Sequence, residues 1–349
     1  MNQQIFVISD IEMGKNDVMD DFRDDKALAE FIGTLIPHAK DQKVSLVLNG
    51  DIFDFIKMDY KGVYPRHITE EISLWKLEQV FIEHSEVFEA LKKFLQSPNT
   101  ELHLIIGNHD ADLIWPKLQA KIRTRLANND RIYFGYNFDQ QGIFIEHGHM
   151  FDPFFEIDIN EPILNYKEHE ILNLPIGTYM CFRHINDFKR RFPYEERLSP
   201  RTEVIKKYPK FHKGIKKLMR VPLIKMVSID RLWNYNDPAF RVPYKKFAKH
   251  IWNYGFDLIS DEKFLKKSIE KMIKKNPDKQ LIITGHWHQT EKIDASGKKI
   301  LATDTWREEY DISSGKAQKK VRTYAHVELK DNEIQSATLK EFYPSFESH

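Results

Sequence analysis

One cysteine, Cys181, occurs in 349 residues. A single thiol excludes an intramolecular disulfide and any cysteine-based metal site, and it suits a reducing compartment. Long apolar runs are missing as well: none approaches the roughly 18 residues that a membrane span requires. The first residues, Met1–Gln4, lack the basic segment and apolar core of a leader, so a soluble cytoplasmic chain is the expectation. Charge of one sign is also lacking. With 53 Lys and Arg against 52 Asp and Glu, the formal net charge of +1 excludes no class of partner, and only its distribution is informative. What remains is ample for a core: 41% apolar residues, 24 of them Phe, in a length that suits one large domain or two ordinary ones.

The chain is organised around Val44–Asp54, V-S-L-V-L-N-G-D-I-F-D. Its apolar, β-branched run predicts a buried strand that ends at Gly50-Asp51, and Asp54 follows three residues later. A carboxylate on a glycine-permitted turn beyond a strand faces the crevice where α/β sheets place their chemistry, although many such residues only cap the next helix. Four further clusters follow apolar runs in the same way. Ile5–Ile8 leads to Asp10-Ile11-Glu12, and Glu101–Ile106 leads to Gly107-Asn108-His109-Asp110. The run 142–146 leads to His147-Gly148-His149, and 280–284 leads to Gly285-His286-Trp287-His288. Glu12 alone reads equally as a solvated loop acid, and a lone strand-end His as a structural one. Five such clusters along one chain favour a shared site.

Between the strands the pattern is helical. Helices are expected over 24–37, over 69–96 as one long amphipathic element with Glu83, His84 and Glu86 on its solvated face, and over 112–127. Short strands are expected at 131–134, 299–302, 321–329 and 333–339, the last three completing a second sheet. From 151 to 279 the alternation gives way to aromatic, basic and proline-containing helical segments. Within it, 181–225 carries 14 Lys or Arg against 4 Asp or Glu, a formal +10, interleaved with Phe182, Phe188, Phe192, Tyr194, Tyr208 and Phe211. Such a run is a solvated face or a cap that offers cations and rings to a phosphate-bearing substrate.

A mixture of carboxylate, amide and imidazole suits divalent ions such as Mn, Fe or Zn. In order, spacing and strand context, the blocks D-I-E, G-D-I-F-D, G-N-H-D, H-G-H and G-H-W-H resemble the calcineurin-like metallophosphoesterase family, whose usual blocks are D-x-H, G-D-x-x-D, G-N-H-D/E, a strand-end His and G-H-x-H. Four of the five match, over about two thirds of the chain. The resemblance implies an α/β fold: a two-sheet sandwich flanked by helices, formed by 1–150 and 280–349, with 151–279 inserted as a large, mainly helical lid. It implies two divalent metal ions bridged by Asp51. Asp10, Glu12 and His288 would surround one ion, and Asn108, His147 and His286 the other. His109 would act as the acid, oriented by Asp54. Thr303-Asp304-Thr305-Trp306 resembles the strand-end stretch that follows G-H-x-H in many members.

The departure is Glu12, which stands where the family carries His; a hard anionic oxygen there favours Mn or Mg over Zn. The activity implied is hydrolysis of a phosphodiester or diphosphate bond by in-line attack of a metal-bridging hydroxide. The basic, aromatic segment after H-G-H is similar to the lid of UDP-2,3-diacylglucosamine hydrolase-like members, which suggests a lipid-linked diphosphate and peripheral membrane contact. A nuclease holding nucleic acid along the +10 stretch is the second reading. A catalytically degenerate metal-binding interaction module is the third.

Overall fold

The computed structural model describes residues 2–127, 130–210, 213–214, 234, 236–240 and 261–347. Two sheets face each other. The first has six strands in the order β16 (Glu333–Phe342), β15 (Arg322–Lys330), β1 (Gln3–Ile8), β2 (Lys43–Asn49), β3 (Thr100–Ile105) and β4 (Ile132–Gly135). The second has five, ordered β11 (Glu291–Ala295), β12 (Lys298–Ala302), β10 (Leu281–Thr284), β6 (Ile143–Glu146) and β5 (Asn137–Gln140). In each, the central strands run parallel: β1 to β4 in the first, and β6, β10 and β12 in the second.

Alternation along the strands explains the layers. Ile5 and Val7 of β1 point between the sheets, where they meet Ile143, Ile145, Leu281 and Ile283. Phe6 and Ile8 point outward, beneath the helices α1 (Asp25–Leu35), α2 (Glu70–Glu83), α3 (Ser85–Leu95) and α4 (Pro116–Arg125). On the far side of the second sheet, Leu265, Ile269 and Met272 of the helix 261–275 cover Phe144, Ile282 and Ile300. Strands buried on both faces must be apolar at every position, which is why they read as unbroken hydrophobic runs. The parallel register also places the C-terminal ends of β1, β2, β3, β6 and β10, each followed by one of the five clusters, along one rim of the sandwich.

The structure corrects three expectations. The stretch 69–96 is two helices, because His84 leaves helical geometry (φ −107°, ψ 32°) between α2 and α3. His84 is buried at 2% exposure, not solvated, with its ring on Asp20 (3.2 Å) and Asp25 (2.8 Å). The strands expected at 321–329 and 333–339 do not join the second sheet: β15 pairs antiparallel with β1 and extends the first. Alternation shows which face of a strand is buried, not which partner lies beside it.

β6 and β10 are neighbours in the second sheet, so the chain from 147 to 280 leaves and re-enters it. The described part of that connection contains the hairpin β7 (Ile163–Tyr166) and β8 (His169–Leu172), which periodicity did not reveal, and short helices at 176–180, 186–191 and 201–207. Phe154, Leu172, Tyr179 and Phe182 enter the same hydrophobic cluster as the helices on the first sheet. In the basic stretch, Lys189 and Arg197 are buried and bound to Asp21 (2.7 Å from Arg197), so neither is presented to a substrate. Residues 211–212 and 215–225 of that stretch lie outside the described residues.

Burial alone would lower the His84 pKa, but Asp20 and Asp25 outweigh it and hold it up at about 9. Stability from this ion cluster is therefore complete below the unfolded histidine pKa near 6.5 and is lost as pH rises through about 9. Unfolding free energies from urea titrations at pH 6 and pH 10 should differ by on the order of 3 kcal/mol more in the parent than in a His84→Gln variant.

Candidate active site

Five of the candidate ligands stand in left-handed backbone geometry rare for side chains other than glycine: Asp10 (φ 53°), Glu12 (56°), Asp51 (49°), His286 (74°) and His288 (51°). Each leaves its strand end abruptly and aims its side chain along the rim. Backbone held in this region clusters where a site requires it.

The centre is Asp51, 1% exposed. Its Oδ1 accepts the backbone N–H of His109 at 2.8 Å, and its Oδ2 lies 3.1 Å from Nε2 of His147. Two glycines allow this approach. A Cβ on Gly107 would lie 2.1 Å from Asp51 Oδ1 and 2.2 Å from its backbone nitrogen, and one on Gly50 would lie 2.4 Å from the His147 ring. Asp110 closes the turn by accepting from the backbone N–H groups of Gly107 and Ile52, each at 2.6 Å, while burial and the charge of Asp51 push its carboxyl up to about 7.

The residues present fit a divalent cation. His147 Nδ1 donates to the Asn49 carbonyl at 2.9 Å, which leaves Nε2 as an acceptor. That lone pair faces three oxygens: Asp51 Oδ2 at 3.1 Å, Asn108 Oδ1 at 3.2 Å and Asp10 Oδ1 at 3.9 Å. Acceptors converge in this way around a cation or a proton. The ligand atoms of Asp51, His147 and His286 lie within 4.8 Å of one another, and His286 is backed by Asp152 (Nε2 to Oδ2, 3.3 Å). Beside them, His288 sets Nε2 at 3.2 Å from Asp10 Oδ1 and 3.5 Å from Glu12 Oε1, while its Nδ1 donates to Glu309 at 2.9 Å. A carboxylate behind an imidazole is the usual way a metal-binding ring is oriented.

His109 and Asp54 form a separate pair. Nδ1 of His109 donates to Asp54 Oδ1 at 2.8 Å, and Nε2 turns toward the site, 3.8 Å from Asp51 Oδ2. Glu12, Asp54 and His109 also bring ligand atoms within 4.8 Å of one another. Burial would lower the imidazoles, yet the surrounding carboxylates hold His109 and His147 up at about 9 and His288 at about 10. The negative potential that holds a proton on Nε2 of His147 equally attracts a divalent cation, which would displace that proton and take the lone pair.

Sequence reasoning missed four residues here. Lys57 is buried among Glu12 (2.9 Å), Asp54 (3.1 Å), Glu196 (3.2 Å) and Asp21 (3.3 Å). Arg307 grips Glu12, Glu309 orients His288, and Asp152 backs His286. Lys57 could have been found three residues beyond Asp54, and Arg307 directly after the T-D-T-W stretch; Asp152 and Glu309 carry no local signal. Burial alone would raise the Glu12 carboxyl, but Arg307 and Lys57 hold it well below the carboxylate range.

Fold and rim together define an α/β sandwich with a cluster of candidate metal ligands along one edge. The chain belongs to the calcineurin-like phosphoesterase family, whose model matches residues 4–290. No curated protein matches. Similar solved structures include a dimetal phosphatase from Danio rerio (12% identity, TM-score 0.39, covering 97% of this chain and 95% of that one). A conserved protein from Streptococcus pneumoniae described as a predicted phosphoesterase shares 10% identity at TM-score 0.32, over 99% of this chain and 95% of that one. The phosphopantetheinyl hydrolase of Mycobacterium tuberculosis shares 11% at TM-score 0.27, over 87% and 90%.

Gly107→Ala should push Asp51 off its position. The expected result is loss of bound metal in elemental analysis and at least a roughly hundredfold drop in hydrolysis, with the fold retained by circular dichroism.

Proposed function

We propose that the chain is a two-metal phosphoesterase that hydrolyses a phosphodiester or diphosphate bond. The observation that carries this reading is the lone pair of His147 Nε2, fixed by the Asn49 carbonyl and facing the oxygens of Asp51, Asn108 and Asp10. When bound, the two ions lower the pKa of an attacking water and draw charge from the phosphoryl oxygens.

The residues of the chain supply the rest. Asp51 would serve as the bridge. Asn108, His147 and His286 would hold one ion, and Asp10, Glu12 and His288 the other, with carboxylate oxygens favouring manganese. His109 retains its proton beside Asp54 and presents Nε2 to the departing oxygen; the P–O bond breaks as that proton passes to it. Lys57, 3.1 Å from Asp54, holds that carboxyl in place, so the imidazole of His109 has one orientation. The 151–279 segment is read as an insertion that meets the substrate.

Substrate class follows from what that segment exposes. Lys189 and Arg197 are buried against Asp21, whereas Phe192 (44%), Tyr194 (67%) and Tyr208 (54%) remain open to solvent. Exposed rings beside the basic residues Arg191 and Lys210 suit a diphosphate carrying a bulky or acyl group at an anionic membrane surface. The nuclease reading rests on the same stretch, in which Lys189 and Arg197 face inward while Arg190, Arg191, Lys206, Lys207 and Lys210 are exposed. Among the described residues, no helix is long and apolar enough to cross a membrane.

The deciding experiment is the initial rate on bis- and mono-p-nitrophenyl phosphate with Mn, with Asp51→Ala as blank. Metal-dependent turnover that favours the diester and vanishes in the blank is expected. No turnover above the blank with Mn, Mg, Fe or Zn would leave a non-catalytic metal-binding module. His109→Ala should retain metal while slowing turnover by about 10²–10⁴, most for poor leaving groups; unchanged rates at full metal content would remove His109 from the reaction.

A further inference from the structure

We propose that Arg307 is the positioning residue of one ion's ligand set: it holds Glu12 directly and His288 through Glu309, so that the chain without this guanidinium binds one divalent ion where the parent binds two. The inference rests on the two-metal reading above.

Arg307 is 9% exposed at its side chain and follows Trp306, which is fully buried and donates its backbone N–H to the Asp10 carbonyl at 3.0 Å. The guanidinium therefore starts from an anchored point. Nη1 donates to Glu12 Oε1 and Oε2 at 3.0 and 2.9 Å. Nε and Nη2 donate to Glu309 Oε1 at 3.0 and 2.8 Å, and Nη2 also reaches the Glu196 carbonyl at 3.2 Å. Glu309 in turn takes Nδ1 of His288, so one side chain fixes both Glu12 and His288. These contacts occupy the whole donor fork. None is left for a substrate phosphate, which separates a positioning role from a clamp.

Charge explains why such a residue is needed. Glu12 places a carboxylate, 1% exposed, within 4.8 Å of an Asp54 oxygen and on the same His288 nitrogen as Asp10, and buried like charges oppose one another unless they are paired. Lys57 touches only Oε2 of Glu12 and shares its three protons with Asp21, Asp54 and Glu196 as well. Arg307 contacts both oxygens. It offsets the charge of Glu12 while leaving Oε1 at ligand spacing from His288, 3.5 Å away. Because it also reaches the Glu196 backbone, the same guanidinium joins this ligand set to the connection between β6 and β10.

The test is manganese binding to full-length, chelator-stripped protein, followed by isothermal titration and by the spin-coupled Mn–Mn resonance signal. The parent should bind two ions. In Arg307→Gln one ion should bind within about threefold of parent affinity, the other should weaken about 10–100-fold, and the coupled signal should disappear. Arg307→Lys, which keeps charge without the fork, should fall between the two; it supplies the reading if the Gln variant does not fold. In a Glu12→Gln background, adding Arg307→Gln should weaken the second ion less than it does in the parent. Arg322→Gln removes another buried arginine, paired with Asp24 and Glu347 rather than with a candidate ligand, and should lower the melting temperature with two ions still bound. Two ions at parental affinity in folded Arg307→Gln, or equal weakening of both, would overturn the inference and leave the two-metal reading standing. A parent that binds fewer than two ions would overturn both.

Discussion

The two sheets meet at the rim through a reciprocal pair of hydrogen bonds on which the site depends. Asn49, at the end of β2, donates its side-chain amide to the Glu146 carbonyl at the end of β6 (3.2 Å). His147, the next residue of that strand, donates Nδ1 back to the Asn49 carbonyl at 2.9 Å. Each bond ties one sheet to the other within two residues of Asp51 and one of His147. If this lock shifted, the tautomer of His147 and its distance to Asp51 would change together. Ser9 and Thr303, whose hydroxyls lie 2.7 Å apart, form a similar tie between the ends of β1 and β12.

Around that lock the protein buries an unusual amount of charge. Asp21, Lys57, Glu12, Arg307, Glu309 and His288 form a continuous chain of ion pairs, and Lys189 and Arg197 extend it into the connection between the sheets. Buried ion pairs are weak contributors to net stability, while removal of one partner typically costs about 3–5 kcal/mol. Their value here is geometric. A carboxylate held by a guanidinium has one position, and an imidazole held by a carboxylate has one face toward the rim. Loose surface charges would leave each ligand free to turn away.

Much of this was legible in the sequence because the site is built from strand ends. An unbroken apolar run followed by Gly and a ligand-type residue marks both the strand and its chemistry, and all nine candidate residues from Asp10 to His288 lie together along the rim. The helical breaks and sheet order were harder to read. His84 sits in an otherwise continuous helical pattern, and only its distant partners Asp20 and Asp25 explain why the helix breaks there. The assignment of β15 and β16 to the first sheet depends on an edge that β1 leaves free, which periodicity does not encode. The pairing of Arg307 with Glu12 was illegible for the same reason: the two are 295 residues apart, and in a chain with 105 charged side chains no spacing joins them.

That separation has a consequence for the order in which the molecule is made. Asp10 takes its backbone brace from Thr305 and Trp306, and β1 takes its antiparallel neighbour from β15. At about 5–20 residues per second on the ribosome, these partners emerge roughly 15–60 seconds after Asp10 does. Throughout that interval the amino-terminal carboxylates have no imidazole from the 280s beside them. The rim cluster can assemble only once residues 286–306 have emerged, so a product stalled before them lacks both the brace of Asp10 and its contact with His288.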